Sequence, residues 1–155
     1  MQLPHDSYIL VADGRKMLFF RNEGDADYPN LQVVTASEQR DAKDREMKTD
    51  APGRTFDDNA AGRDLAGPGA SRSGYEETDF HQLEEDRFAA DAAAMLRERA
   101  LRGEYEALVV VAPPHTLGEL RKHYHKEVER RLLGELAKDL TGHPTGEIEK
   151  ILIAS

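Results

Sequence analysis

The chain contains no cysteine, which removes disulfides, thiolate nucleophiles and cysteine-ligated zinc together. It also lacks a long apolar run. The first such run, Tyr8 to Ala12, falls far short of the roughly 20 residues that a membrane-spanning helix needs. The N-terminus, MQLPHDSYILVADGRK, has neither a basic start nor an extended apolar stretch, so no secretion signal is expected. A surplus of positive charge is missing as well. With 21 Lys and Arg against 30 Asp and Glu, the formal net charge is -9, which opposes non-specific wrapping of nucleic acid and adsorption to membranes. A local basic patch can still bind phosphate. These absences predict a soluble, unexported protein of the cytoplasm, and no motif calls for a cofactor or a metal.

What is present fits one domain of ordinary size. The 155 residues are 39% hydrophobic and 33% charged, enough for a real core provided that part of the chain stays solvated. SYILVADGRKMLFFR holds two β-rich runs, Tyr8 to Ala12 and Met17 to Phe20, joined by Asp13-Gly14, a pair suited to the positive φ angles of a tight hairpin. LQVVTAS supplies a third strand, Leu31 to Ala36. ALVVVAPP gives a run apolar on both faces, Leu108 to Val111, the pattern of a central strand covered on each side.

Between these strands the apolar periodicity disappears. From Glu38 to about Thr78 the chain is charged, Gly-rich and poor in β-branched residues, which predicts a long flexible loop inside the single domain 1–155. A long helix should follow, capped by Asp79, with Glu84, Glu85 and Asp86 in its first turns and Gly103 at its end. After Pro113 and Pro114, Thr116 and Glu119 stand at capping-box spacing for a second helix. EVERRLLGELAKDLT satisfies both a helical and a strand period. The tail carries Ile148, Ile151 and Leu152 on one face of a last helix that starts near Pro144. The order of elements is that of an α/β fold.

The segments VADGRKMLFFRNEGDADYPNL, APGR, RSGYEETDFHQLEEDRFA, ALVVVAPPHTLGELRKH and AKDLTGHPTGEIEK resemble the bacterial relatives of the archaeo-eukaryotic release factors, specifically the twelfth group, often labelled host attachment proteins. The resemblance covers nearly the whole chain. It implies a ribonuclease-H-like core with a five-stranded mixed sheet, as in the middle domain of release factors, and makes Leu132 to Leu140 the last strand. Release factors carry Gly-Gly-Gln in the loop between the third strand and the long helix, where it assists peptidyl-tRNA hydrolysis. Here the equivalent stretch reads GRDLAGPGASRSG, residues 62–74, without that motif. The resemblance therefore implies a non-enzymatic interaction module that meets the ribosome, RNA or a translation-associated protein. The host-attachment label implies instead a factor that acts through protein contacts, and a metal-dependent nuclease or hydrolase is the second alternative.

Candidate site residues divide into five groups. Arg54, Arg63, Arg72 and Ser73 in the Gly-rich stretch can grip phosphates or an acidic partner. Arg121, Lys122, Tyr124, Lys126, Arg130 and Arg131 in RKHYHKEVERR form a basic segment with an interleaved aromatic, the composition of an RNA or protein contact. Asp13 sits where ribonuclease-H nucleases hold a magnesium-binding aspartate, but the hairpin turn already accounts for it, and LVVVAPP offers no second carboxylate. His115, His123 and His125, with Glu119, Glu127 and Glu129, have metal-ligand chemistry; His123 and His125 point about 200° apart on a helix, so a solvated surface is the better reading. Asp79 and His81 make an acid–base pair on paper, with no nucleophile beside it.

Overall fold

A computed structural model describes the backbone of residues 1–38 and 66–155, together with their side chains except those of 66–79. The first two strands, β1 (Tyr8–Ala12) and β2 (Lys16–Asn22), form the expected antiparallel hairpin, in register from Tyr8 opposite Arg21 to Ala12 opposite Met17. Only Gly14 in the turn has a positive φ, of 97°. Asp13 contributes its side chain: Oδ1 accepts the N–H groups of Arg15 at 2.9 Å and Lys16 at 2.8 Å. The turn thus depends on a carboxylate acceptor followed by glycine, not on two left-handed residues. The third strand, β3 (Leu31–Glu38), adds to the far side of β2, with a bulge between Phe19 and Phe20.

The long helix α1 runs from Ala66 to Leu101. It therefore begins well before Asp79, and residues 66–78, expected in a loop, are helical. Asp79 lies inside the helix and does not cap it, and no acidic residue occupies the first turn. Pro68 is compatible with this start because the first N–H groups of a helix have no intrahelical acceptor. The other end is as expected. Gly103, at φ 69°, donates to the Ala100 carbonyl at 2.9 Å while Glu104 donates to Arg99 at 2.9 Å, a Schellman closure.

The remaining elements are β4 (Leu108–Ala112), α2 (Pro114–His123), α3 (Lys126–Arg131), β5 (Leu132–Ala137) and α4 (Thr145–Ala154). Pro113 holds the cap position of α2 without a side-chain bond, so the capping box expected of Thr116 and Glu119 does not form; Thr116 is already in the first turn. The last strand is shorter than the resemblance implied. It ends at Ala137, where the Lys138 N–H turns back to the Leu136 carbonyl at 3.1 Å.

The five strands lie in the order β3-β2-β1-β4-β5, with β4 parallel to both β1 and β5. Alternation along β1 divides the core between two faces. Tyr8, Leu10 and Ala12 join Phe88, Ala92 and Leu96 of α1, whereas Ile9 and Val11 join Leu3 with Ile148 and Leu152 of α4. The fold is thus a mixed five-stranded sheet flanked by helices. Residues Met1–Glu38 and Glu85–Ser155 form one compact unit, and Gln39–Glu84 another, described here only as the helical backbone from Ala66 and the side chains from Phe80. Among the described residues, no helix is long and apolar enough to cross a membrane.

Candidate functional site

Because β1, β4 and β5 run parallel, their C-terminal ends open on one edge of the sheet, the usual place for function in such folds. Asp13 follows β1, the α2 N-terminus follows β4, and Asp139 with Thr141 follows β5. The Thr141 hydroxyl lies 2.8 Å from Asp13 Oδ2 and 3.0 Å from Asp139 Oδ1. A hydroxyl has one proton to donate, so the two carboxylates share it. Asp13 accordingly has both a turn role and a second carboxylate, Asp139, on the same hydroxyl. The second acid follows β5, not β4.

Gly14 brings this hairpin close to the next element. A Cβ there would lie 3.3 Å from Thr116 Oγ1, close enough that the threonine would have to give by a few tenths of an ångström, and in ordinary contact with Glu85 Cδ at 3.6 Å. Thr116 is only 6% exposed, and its hydroxyl has no hydrogen-bond partner among the described residues. One turn along the same seam, Asp86 of α1 meets His115 and Glu119 of α2, each offering a ligand atom within 4.8 Å of the others. His115 Nε2 is 3.5 Å from Asp86 Oδ1, and Lys122 Nζ is 2.7 Å from Glu119 Oε2. That bond is the main reason the Lys122 ammonium holds its proton more tightly than usual. His123, His125, Glu127 and Glu129 do not join this group. The helix ends at His123, and His125 instead caps α3, its Nδ1 accepting the Glu127 N–H at 3.0 Å.

The basic segment spans two helices, and most of its charge is paired. Arg121 bonds Glu135 at 2.6 Å, Arg130 and Arg131 both bond Glu127 at 2.7 Å, and Arg131 also donates to the Tyr105 carbonyl at 2.8 Å. The Arg131 bond holds the Glu127 carboxyl below its usual range, and the Glu135 bond raises Arg121. Tyr124 donates to Glu135 at 3.1 Å; burial first, and then the Glu135 charge, push its hydroxyl far up. Lys126 makes no ion pair among the described residues.

Of the Gly-rich group, Arg54 and Arg63 lie outside the described residues. Arg72 and Ser73 fall on the backbone of α1, with side chains outside the described set. His81 is exposed on the same helix. Sequence reasoning missed Asp86, Asp139 and Thr141 as site residues. The only available signal was the polar pair in KDLT, just beyond a strand.

Among curated protein sequences, none matches the chain. The family description "bacterial archaeo-eukaryotic release factor family 12" matches residues 6–152, a range that takes in all five strands and both acidic clusters at the sheet edge. With the match spanning nearly the whole sequence and the sheet built as the resemblance implied, the chain belongs to bacterial archaeo-eukaryotic release factor family 12.

Proposed function

We propose that this release-factor-related domain is a non-enzymatic interaction module of the cytoplasm that associates with the ribosome or with RNA. One observation carries the reading: the chain belongs to a release-factor family over residues 6–152, yet the segment between β3 and α1 contains no Gly-Gly-Gln. The strand order, in which β2 alone runs against the other four, supports a ribonuclease-H-like core.

The contact surface in this reading is the α2–α3 segment, helped by Arg54, Arg63, Arg72 and Ser73. Arg121, Lys122 and Arg130 are more than half exposed. Ion pairs at such exposure contribute about 0–1 kcal/mol, so a polyanion can draw these cations from their carboxylates at little cost and release counterions as it binds. Tyr124 positions the segment through Glu135.

Affinity capture of the tagged chain from cells at low salt tests this. Ribosomal subunits or RNA should co-purify, elute as salt is raised, and fall several-fold for the triple variant Arg121→Glu, Lys126→Glu, Arg130→Glu. Capture of neither, or magnesium-dependent RNA cleavage that Asp13→Asn abolishes, overturns the reading.

A further inference from the structure

We propose that Asp86, His115 and Glu119 form a binding site for one divalent transition-metal ion of the zinc class. Two carboxylates and an imidazole converge with their ligand atoms within 4.8 Å of one another. Bonds of about 2.0–2.2 Å to a shared ion require donors closer than this by an ångström or so. The side chains can supply that movement, because those of His115 and Asp86 are 55% and 35% exposed.

The backbone under these side chains is rigid. His115 and Glu119 stand four residues apart on α2, so they rise from one face of the helix. That spacing is the one by which a single helix presents two ligands to zinc. Phe88 and Ala89, just beyond Asp86, and Leu117 and Leu120, on the other side of α2, are buried in the same core cluster. Both helices are thus fixed by one core while the three donors stay at the surface.

The chemistry of the seam suits a cation. Lys122 bonds Glu119 through Oε2, leaving the second oxygen to coordinate while the lysine orients the group. Beside His115, the buried Thr116 hydroxyl lacks a hydrogen-bond partner among the described residues, facing Gly14 and the Glu85 carboxyl. A buried polar group of this kind calls for a bound water or ligand in the same seam. The imidazole favours zinc, copper, iron or nickel over magnesium and calcium. Three protein donors leave at least one coordination position for water or for a donor atom of a partner.

The test uses the full chain, stripped with chelator and titrated with Zn²⁺ by calorimetry, with Co²⁺ absorption as a spectroscopic reading of the ligand set. One equivalent should bind, excess Mg²⁺ should not displace it, and His115→Ala, Asp86→Asn and Glu119→Gln should each weaken binding by roughly tenfold or more. Circular dichroism and melting in chelator should match the unaltered chain, since the three side chains are at the surface. His143→Ala, which alters another histidine with a carboxylate four residues away at 4.0 Å, should change nothing. Binding that survives His115→Ala or Glu119→Gln, that is lost in His143→Ala, or that Mg²⁺ abolishes overturns the proposal.

Discussion

The middle of the sheet and its β3 edge use similar residues to opposite ends. In β1 and β4, five residues each, every side chain is buried; β3 has eight residues and buries only Leu31. Val33 and Val34 are 56% and 38% exposed, whereas Val109, Val110 and Val111 are fully covered. The valines are chemically the same. Position decides their energetic worth, because β4 has a strand on each side and helices on both faces, while β3 ends the sheet and is held at its start by Glu149 of α4, which accepts the Leu31 N–H at 2.8 Å. Strand propensity alone does not separate the two settings.

The largest effect should come from the interior. Val110→Asp places a charge without a partner in the main core cluster, at a cost that exceeds about 5 kcal/mol and removes most or all of a typical domain's stability. Far-ultraviolet circular dichroism should show an unfolded or aggregated chain. Next is Asn22→Ala. This residue of β2 is fully buried, and its amide donates to the Leu3 carbonyl at 2.7 Å and accepts the Gly24 and Asn30 N–H groups at 2.9 Å. Truncation leaves buried backbone groups unmatched, and urea denaturation should show a loss of about 3 kcal/mol.

A third test titrates the core. Tyr105 lies under the sheet, donates to the Leu96 carbonyl at 2.8 Å, and has its hydroxyl pushed up to about 12, chiefly by burial. An unfolded tyrosine ionises near pH 10, so the unfolded chain binds fewer protons than the folded one above that point. This contribution to stability is complete below pH about 10 and is lost as pH rises towards 12, by up to about 2–3 kcal/mol. Urea midpoints at pH 9 and 11 should diverge in the unaltered chain and diverge less in Tyr105→Phe. The smallest effect belongs to the edge: Val33→Lys should shift stability by no more than about 0.5 kcal/mol. A loss comparable to that of Asn22→Ala would mean that the edge is covered by something beyond the sheet.

The same contrast governs what could be read from the sequence. Two-sided apolar runs identify β1 and β4, and Asp-Gly identifies the hairpin, because these signals are local. Gly103 likewise marks the end of α1. The start of α1 escaped because Gly67, Pro68, Gly69 and Gly74 depress helix propensity, and β5 was ambiguous because Leu132, Leu136 and Leu140 fit both periods. The candidate site was least legible. Asp13 and Thr141 stand 128 positions apart, and Asp86 reaches His115 and Glu119 only through helix placement, so no spacing rule could join them. The basic segment was visible as composition, while its carboxylate partner Glu135 sits on a strand whose register only the sheet defines.

The parallel pairing of β1 with β4 also sets an order of events during synthesis. Tyr8 lies opposite Leu108, so the partner of the first strand is made long after it. At about 5–20 residues per second, the hairpin of β1 and β2 and the added β3 wait on the order of 5–20 s for that partner. Throughout that interval one edge of β1, with Ile9, Leu10 and Val11, has no strand beside it. The nascent chain thus carries an unpaired apolar edge that can join a neighbour's, and a ribosome that slows before Leu108 lengthens the exposure in proportion.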